Sequence, residues 1–317
     1  MASPDLAGET ALVTGGAGFI GSHLVDALIE RGAKVRVLDN LATGKRENLV
    51  QCGQRIEFLE GDICDLEACR RACQGVSYVF HQAALGSVPR SMKDPATTIG
   101  VNVAGTANVF AVARDAAVRR VVYASSSSVY GDSKKLPKRE GEEGRPLSPY
   151  ALSKVMNEAL ADIFARSFGM EFVGLRYFNV YGPRQDPNGP YAAVVPRFCM
   201  AYRGKEPPTI FGDGEQTRDF TFVGDAVRAN LLAAGAGAEA CGRAFNIAPG
   251  RSVSINRLAR LLREITGSTD EPRHVDQRPG DVRDSLADPT AASGILGFTA
   301  TVTLEDGLRA TVASHGS

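Results

Sequence analysis

The sequence predicts an α/β fold: a doubly wound parallel sheet with a second, smaller region toward the C-terminus. Two observations lead to this prediction. Short apolar runs alternate with helical periodicity from residue 10 to residue 177, and a glycine-rich turn directly follows the first run. Such alternation is typical of a parallel sheet covered by helices. A shift to turn-rich sequence at 182–189 then marks the passage into the smaller region.

The first predicted strand, 10–14, leads at once into Gly15-Gly-Ala-Gly-Phe-Ile-Gly21, and helical periodicity follows over 22–31. Gly15 allows a tight turn, Gly18 lets the backbone approach a pyrophosphate, and Gly21 lets the helix pack closely on the strand. The helix N-terminus then faces the anion. The spacing is G-x-x-G-x-x-G, and an ordinary strand-to-helix turn is the alternative.

The second predicted strand, 34–38, ends at Asp39 and Asn40. Asp39 follows Gly21 by 18 residues, close to where a ribose-binding carboxylate belongs in a dinucleotide-binding unit. A carboxylate there repels a 2′-phosphate, so the sequence favours NAD over NADP. Lys45 and Arg46 in the next loop leave NADP open.

The third and fourth strands, 56–59 and 78–80, each end beside candidate cofactor residues. Asp62 is a candidate either to accept a hydrogen bond from the adenine amine or to cap a helix that begins near Asp65. The small residues after His81 suit a backbone that passes close to a cofactor. His81 and His23 are expected to be packed, because neither has a carboxylate or cysteine partner in view.

The fifth strand, 120–124, runs into four serines at 125–128, which places hydroxyls at the carboxyl edge of the sheet, where ligands bind in open α/β folds. Helices are predicted over 96–114 and 148–168. Tyr150 and Lys154 are four residues apart on the second of these, and so share one helix face. A nearby ammonium favours the phenolate, which could make Tyr150 a general base near pH ~7. A solvated helix face is the alternative.

A sixth strand is predicted over 171–177, and the sequence beyond it is less regular. Turns are expected at 182–189 and 211–214, a strand beginning at 218–220, helices over 223–238 and 254–266, and a loop at 278–281.

Composition narrows the class of protein. The chain has 317 residues, with 36 Lys and Arg against 36 Asp and Glu. The balanced charge disfavours a nucleic-acid surface or an acidic membrane as partner. The first residues do not resemble a signal peptide, and we expect no apolar run long enough to span a bilayer, which favours a cytoplasmic location. Six cysteines lack the paired spacing of a metal site, so reduced thiols and no metal are expected.

Four features together resemble the extended short-chain dehydrogenase/reductase family, and within it the nucleotide-sugar 4-epimerases. They are the 15–21 glycine turn, the serines before Val129-Tyr-Gly131, Tyr150-x-x-x-Lys154, and Arg176-Tyr-Phe-Asn179. The resemblance runs from about residue 9 to the last helix. It implies a Rossmann domain for NAD at 9–177 plus 219–248. It also implies a nucleotide-sugar domain at 178–218 plus 249–317.

The resemblance also implies residue roles. Tyr150 would be the catalytic base, Lys154 its tuner and Ser126 the partner hydroxyl. The implied cofactor-binding residues are Gly15, Gly18, Phe19, Ile20, Gly21, Asp39, Asn40, Thr43, Gly44, Asp62, Ile63, Gln82, Ala83, Ala84, Asn102, Tyr150, Lys154 and Tyr177. The implied substrate-binding residues are Gly86, Ser87, Ser126, Ser127, Tyr150, Asn179, Ala193, Val194, Arg218, Arg278 and Ser285.

The implied reaction is a temporary oxidation. Tyr150 takes the proton of the sugar 4-hydroxyl while hydride moves from C4 to NAD⁺, and the hydride returns to the other face of the 4-keto sugar. Relatives that eliminate water carry an Asp-Glu pair where Ser127 and Ser128 stand, and decarboxylating relatives carry a Glu at Ser128. Elimination needs an acid and a base beyond the tyrosine, whereas epimerisation needs neither.

A narrower resemblance points to bacterial UDP-N-acetylhexosamine 4-epimerases of polysaccharide pathways, through residues 85–91 and 184–189. Galactose-type enzymes carry Tyr where Ser285 stands and Lys where Gly86 stands. Small residues at both places would leave room for a 2-acetamido group and favour UDP-GlcNAc and UDP-GalNAc. Family members form homodimers through a four-helix interface, which the 96–114 helix and the Tyr150 helix would supply here.

Other functions stay open at this point. They are a 4-epimerase of UDP-glucose, UDP-glucuronate or an N-acetyl uronate, an oxidoreductase that releases NADH, and a non-catalytic NAD-binding sensor or scaffold. A sugar carboxylate would need a further cation or hydroxyl cluster in the pocket, and the sequence does not place one.

Overall fold

The computed structural model describes residues 6–188, 192–277 and 283–314. Its strands are β1 (Thr10–Thr14), β2 (Lys34–Asp39), β3 (Ile56–Glu60), β4 (Tyr78–His81), β5 (Arg120–Ser126), β6 (Glu171–Tyr177), β7 (Val180–Tyr181), β8 (Thr209–Phe211), β9 (Thr217–Asp219), β10 (Thr221–Phe222), β11 (Arg243–Ile247), β12 (Ser252–Ser254) and β13 (Arg273–Val275).

The helices of the described residues alternate with these strands through the first half of the chain. They are α1 (Phe19–Glu30), α2 (Leu66–Cys73), α3 (Val88–Lys93), α4 (Pro95–Ile99), α5 (Thr106–Asp115), α6 (Pro149–Phe168), α7 (Val194–Arg203), α8 (Val223–Gly235), α9 (Ile255–Thr266) and α10 (Leu304–Ser314).

Seven of the described strands form one sheet in the order β11-β6-β5-β4-β1-β2-β3, and every pairing in it is parallel. The strand order reverses between β1 and β4, where Val13 lies beside Phe80. At such a reversal the connections leave in opposite directions and open a crevice at the carboxyl ends of the strands. The predicted doubly wound parallel sheet is therefore confirmed.

The local sequence explains where the two helices nearest this crevice begin. α1 begins at Phe19, three residues before the predicted start, because Gly18 is its N-cap in extended backbone. α6 begins at Pro149, and the Ser148 hydroxyl caps it by accepting from the Ala151 amide at 3.1 Å. Proline in the first turn loses no hydrogen bond there, since that N–H has no helical partner.

Apolar cores cover both faces of the sheet. On one face Leu28 of α1 and Leu231 of α8 are buried. On the other, the Phe110 and Phe172 rings lie 4.6 Å apart between centroids. The smaller region has a separate core that includes Phe198 of α7, Leu258 of α9 and Leu308 of α10. Each buried side chain of this size contributes about 1.5–3 kcal/mol of transfer free energy.

The predicted 96–114 helix is longer than expected and is not uniform. It spans Pro95–Asp115 and contains a π-helical segment, Gly100–Gly105, between α4 and α5. By length and composition alone this helix could cross a membrane, but one such helix is weak evidence for a membrane span. A helix in the core of a soluble protein meets the same criterion, and Phe110 in this helix is fully buried against the sheet.

The six cysteines, all in the described ranges, are free thiols as predicted. Burial raises the pKa of Cys69, Cys73 and Cys199 to about 12, so these thiols are poor nucleophiles.

Candidate active site

The glycine turn after β1 has no room for side chains. Gly15 has φ +69°, and a Cβ on it would lie 2.7 Å from the Ala83 backbone nitrogen. A Cβ on Gly21 would lie 2.1 Å from the Gly15 carbonyl oxygen. The turn therefore holds the N-terminus of α1 against the loop after β4, and its backbone amides can approach a pyrophosphate.

Asp39 stands at the carboxyl end of β2 and is buried. Its carboxylate accepts from the Ala17 amide at 2.9 Å and from the Leu41 amide at 2.8 Å. Burial raises the pKa of Asp39, and these two hydrogen bonds lower it in part. The carboxylate is thus fixed beside the glycine turn, in the position expected for a ribose ligand.

The two cations that left NADP open have other partners. Lys45 lies 3.6 Å from an Asp186 carboxylate oxygen. Arg46 pairs with Glu60 at 2.5 Å and stacks over the Phe58 ring, 4.5 Å from its centroid. These contacts fit NAD better than NADP.

Asp62 does not cap a helix, which resolves one of the alternatives. Asp65 caps α2 by accepting from the Glu67 amide at 2.9 Å. Asp62 instead accepts from the Cys64 amide and from the Asn40 side chain, both at 2.8 Å. Asn40 and Asp62 both line the cavity described next.

One cavity of about 1070 Å³ opens along the carboxyl ends of the strands and joins most of the predicted residues. Its wall contains these predicted cofactor residues: Gly15, Gly18, Phe19, Ile20, Gly21, Asp39, Asn40, Thr43, Asp62, Ile63, Gln82, Ala83, Ala84, Tyr150, Lys154 and Tyr177. The same wall contains these predicted substrate residues: Gly86, Ser126, Ser127, Asn179, Arg218 and Ser285. A cavity of this size can hold a dinucleotide and part of a second ligand.

Some predicted residues lie elsewhere. Ala193 and Val194 line an adjoining cavity of about 250 Å³ that shares Asn179 and Arg218 with the first. Three others are absent from both walls within the described chain: Gly44, Ser87, which caps α3, and Asn102. Arg278 lies outside the described residues.

Asn102 sits one layer behind the wall. Its side-chain oxygen accepts from the Leu85 amide at 2.8 Å, and its side-chain nitrogen donates to the Ser153 hydroxyl at 3.1 Å. It thereby joins the π-helical segment both to the loop after β4 and to α6.

Ser126, Tyr150 and Lys154 come together where β5 meets α6. The Lys154 ammonium donates to the Ala124 carbonyl at 2.8 Å and lies 5.9 Å from the centroid of the Tyr150 ring. The Ser126 side chain is hydrogen-bonded to the phenol of Tyr150. The face of α6 that carries Tyr150 and Lys154 is thus turned toward the edge of the sheet and not toward solvent.

Burial dominates the electrostatics of this group. It raises the pKa of Tyr150, with the Ser126 hydrogen bond acting in the opposite direction. Burial also lowers the pKa of Lys154 to about 8. The expected lowering of the Tyr150 pKa is therefore absent here, because desolvation of the phenolate outweighs the Ser126 hydrogen bond. A further positive charge at the site would lower the pKa of Tyr150 and so oppose the effect of burial.

His81 and His23 are packed, as predicted. His81 lies between the Thr14 and Thr106 hydroxyls at 2.7 and 2.9 Å, and burial lowers its pKa to about 3. His23 hydrogen-bonds the Pro183 carbonyl at 2.9 Å. Among the described residues no group of His, Cys, Asp and Glu is arranged to hold a metal ion.

The sequence model of the NAD dependent epimerase/dehydratase family matches residues 11–248. This chain belongs to that family. The glycine turn, the fixed Asp39 carboxylate and the engaged Lys45 and Arg46 fit its cofactor, NAD. The protein is an NAD-dependent enzyme.

Individual relatives cover nearly the whole chain. A UDP-glucose 4-epimerase of Mycolicibacterium smegmatis is 40% identical over 305 residues, 95% of this chain and 96% of its own. The UDP-glucose 4-epimerase of Thermotoga maritima, solved with UDP-glucose, is 43% identical, with a TM-score of 0.92 over 97% of this chain and 98% of that one.

A third relative differs in its sugar. The UDP-N-acetylglucosamine 4-epimerase of Methanobrevibacter ruminantium M1, solved with UDP-N-acetylmuramic acid, is 39% identical, with a TM-score of 0.93 over 98% of both chains. Relatives of similar identity to this chain are thus named for different sugars, so overall similarity does not assign the sugar of this protein.

Several residues of the cavity wall were not predicted from the sequence. The unpredicted wall residues include Ala42, Val88, Pro89, Arg90, Ser128 and Lys138. Ser128 could have been found, because it ends the serine run. Lys138 could not, because the segment after β5 folds back and its backbone pairs with Leu286 at 2.7 Å, a contact between distant parts of the chain.

Proposed function

We propose that the protein is a UDP-sugar 4-epimerase that prefers an N-acetylated hexose and interconverts UDP-GlcNAc and UDP-GalNAc. One observation carries this proposal. A single cavity contains the glycine turn, the Ser126, Tyr150 and Lys154 group, and small residues at Gly86 and Ser285. The names of the similar proteins support the reaction, and the small residues support the acetamido sugar.

Tyr150 is the residue that transfers the proton at the sugar 4-oxygen. NAD⁺, held by the glycine turn and Asp39, would supply the hydride acceptor for the sugar C4 and, in reduced form, the hydride donor. The Tyr150 phenolate takes the 4-hydroxyl proton, and the Lys154 ammonium stabilises that phenolate. Ser126 hydrogen-bonds Tyr150 and can hold the same sugar oxygen. Elimination of water is disfavoured, because Ser127 and Ser128 supply no second acid or base.

The nucleotide must stay anchored while the sugar turns over. Arg218 and Asn179 stand where the two cavities join, so a UDP group reaching into the smaller cavity would pass them. One Arg218 nitrogen donates to the Thr217 and Arg283 carbonyls at 2.8 and 3.1 Å, which orients the guanidinium. A guanidinium fork suits a pyrophosphate. The seven-stranded sheet would thus bind NAD and the smaller region the nucleotide sugar.

The acetamido preference rests on space. A Cβ built on Gly86 meets nothing within 4 Å, so a side chain there would extend into open space at the cavity. Ser285 is held on the opposite segment by a 3.1 Å bond from its amide to the Thr217 carbonyl. With both side chains small, a 2-acetamido group has room that Lys and Tyr would fill.

The test is an NMR assay of the purified protein, without added NAD, on UDP-GlcNAc and UDP-Glc separately. We expect UDP-GlcNAc to be converted well above UDP-Glc. Ser285→Tyr should reduce UDP-GlcNAc turnover and spare UDP-Glc, whereas the matched Ser285→Ala should retain both activities. Equal UDP-GlcNAc turnover in Ser285→Tyr and the parent protein would refute the pocket argument.

A UDP-hexuronate is the second candidate substrate, because of Lys138. This lysine is only 7% exposed, lines the cavity, and donates from its ammonium to the Ser133 carbonyl. The Ser128 hydroxyl on the same wall is buried and has no hydrogen-bond partner in the described part of the chain. Faster conversion of UDP-glucuronate than of UDP-GlcNAc in the same assay would favour this substrate.

The proposed assembly is a homodimer in which α6 contacts its copy. Leu152, Met156 and Ile163 are spaced four and seven residues apart, so they share one face of α6. They are 42%, 38% and 47% exposed, and Met92 of the neighbouring α3 is 63% exposed. An apolar face of this kind is typical of a protein–protein interface.

A further inference from the structure

A buried ion pair stands directly behind the catalytic group. Arg176 of β6 donates from Nε and Nη2 to the two carboxylate oxygens of Glu158 on α6, at 2.9 and 2.7 Å. The Arg176 and Glu158 side chains are only 7% and 17% exposed. Two parallel bonds hold this carboxylate in one orientation. Removing Arg176 would leave the Glu158 carboxylate buried without this partner.

Glu158 also reaches β5 through a hydroxyl. The Ser125 hydroxyl donates to the Glu158 carboxylate at 2.5 Å. Helix α6 therefore contacts three consecutive residues of β5 from one face. Lys154 binds the Ala124 carbonyl, Glu158 binds Ser125, and Tyr150 is hydrogen-bonded to Ser126. Residues 150, 154 and 158 share a face because they are spaced by four.

The charges around Lys154 make Glu158 important for a second reason. The titratable groups on the surrounding strands and on its own helix are Tyr78 and His81 on β4, Arg120 and Tyr123 on β5, Glu171, Arg176 and Tyr177 on β6, and Tyr150, Glu158, Asp162 and Arg166 on α6. Of the three carboxylates in this set, Glu158 is the one whose charge opposes the effect of burial on Lys154. His81 is neutral at physiological pH, since burial lowers its pKa to about 3.

Arg176 has a second acidic neighbour, which limits how far its positive charge neutralises the Glu158 carboxylate. One of its nitrogens contacts the Glu143 carboxylate and also donates to the Tyr130 hydroxyl at 3.0 Å. The guanidinium is thus shared between two carboxylates, which leaves part of the Glu158 charge to act on Lys154.

We infer that Glu158 is a positioning residue that keeps the Lys154 ammonium protonated and holds the end of β5 where Ser126 meets Tyr150. Arg176 fixes the Glu158 carboxylate in this role. The inference rests on the proposed roles of Tyr150 and Lys154, and assigns Glu158 no contact with substrate or cofactor.

The main test is the pH profile of kcat for Glu158→Gln, a substitution that keeps the shape and can still accept from Ser125. Without the negative charge, Lys154 should lose its proton at lower pH. The fall in kcat on the alkaline side should therefore move down by about 1 pH unit, the effect expected for loss of a nearby opposite charge. A superimposable profile would overturn the inference.

The matched control is Asp162→Asn, one turn further along α6. Asp162 pairs with Arg166 at 2.7 Å, and its side chain is 48% exposed. Its substitution should leave the pH profile unchanged. An equal displacement in both variants would show a general effect of helix charge and so contradict a specific role for Glu158.

Ser125→Ala tests the positioning role with every buried charge left in place, which matters if Glu158→Gln fails to fold. We expect kcat to fall about tenfold with KM and bound NAD unchanged, less than the 10²–10⁴-fold of a direct acid–base group, because Ser125 acts only through its neighbours. An unchanged kcat would refute the positioning role.

A readout without substrate separates this inference from the proposed function. Protein labelled with ¹³C-lysine can be titrated by NMR, with the Lys154 signal assigned by its loss in Lys154→Arg. Its midpoint should be lower in Glu158→Gln than in the parent protein, even if no UDP sugar is epimerised. An unshifted midpoint would overturn the inference whatever the substrate is.

Discussion

Tyr150 can act as a base near neutral pH only if positive charge near it offsets the rise in pKa that burial causes. In the protein alone the phenol's pKa is raised by desolvation, and Ser126 contributes a hydrogen bond that lowers it only in part. Lys154 is itself buried, with a pKa lowered to about 8. The phenol of Tyr150 is therefore protonated at neutral pH in the protein alone, and positive charge added near it would favour the phenolate.

Replacing Tyr150 with Phe should abolish most activity without disturbing the fold. Phenylalanine fills the same space but cannot accept the 4-hydroxyl proton, so we expect kcat to fall by about 10²–10⁴. Bound NAD, read from absorbance of the purified protein, should be retained. NMR conversion of the UDP sugar gives the rate.

Tyr78→Phe is the control for that substitution. Tyr78 is buried at the opposite end of β4, where its hydroxyl accepts from Arg119 at 2.8 Å. Its loss should leave kcat unchanged. Full activity in Tyr150→Phe would refute the assignment of Tyr150 as the base.

At the scale of secondary-structure elements, Asp219 joins β9 to the segment that carries Ser285. Its carboxylate accepts from the Ala287 amide at 3.1 Å, and Asn179 donates to the Asp219 carbonyl at 3.0 Å. Asp219 is fully buried, and its second carboxylate oxygen has no hydrogen-bond partner among the described residues. Burial raises its pKa from 3.8 to about 6.

This raised pKa predicts a pH dependence of stability. Below pH ~4 Asp219 is protonated in both states. Between pH ~4 and about 6 the unfolded state releases this proton while the folded state keeps it, so stability falls as the pH rises, by about 2–3 kcal/mol at 1.36 kcal/mol per pKa unit. Relative to Asp219→Asn, the parent protein should lose free energy of unfolding between pH 4 and 7.

Urea unfolding of both proteins across that range measures the difference. Asp213→Asn is the control, because Asp213 is exposed and bridges Arg283 at 3.1 Å. A constant difference between Asp219→Asn and the parent protein at every pH would rule out ionisation of Asp219 as the cause.

Sequence patterns predicted those elements whose signals are local. The predicted sixth strand coincides with β6, and the predicted start of α6 differs by one residue, because a serine cap and a proline mark it. The π-helical segment near Asn102 was not predicted. It depends on contacts with Leu85 and Ser153, which lie far away in the sequence.

The same distinction holds for the site. Residues at strand ends, such as Asp39 and Ser126, could be predicted because parallel strands bring their carboxyl ends to one edge. Lys138 and the Arg176–Glu158 pair were missed, because only tertiary packing brings them to this edge. The spacing of Tyr150, Lys154 and Glu158 was a signal for Glu158 that went unused.

At the scale of the whole molecule, we expect the apolar face of α6 to be covered by a second copy of the chain. Met156→Glu would place a charge in the centre of that interface, which costs several kcal/mol if it is left unpaired. The variant should be monomeric by light scattering, whereas the parent protein should be a dimer.

Val50→Glu is the control, because Val50 is 73% exposed and lies between β2 and β3 in the chain, outside the proposed interface helix. It should leave the molar mass unchanged. A monomeric parent protein would contradict the proposed assembly.

The place of β11 in the sheet has a consequence for synthesis on the ribosome. β11 pairs with β6, yet residues 178–242, which include much of the smaller region, lie between them in the chain. At ~5–20 residues per second, β6 waits about 3–13 s for its partner. During that interval it is an open apolar edge, where a nascent chain is most exposed to mispairing and to chaperone capture.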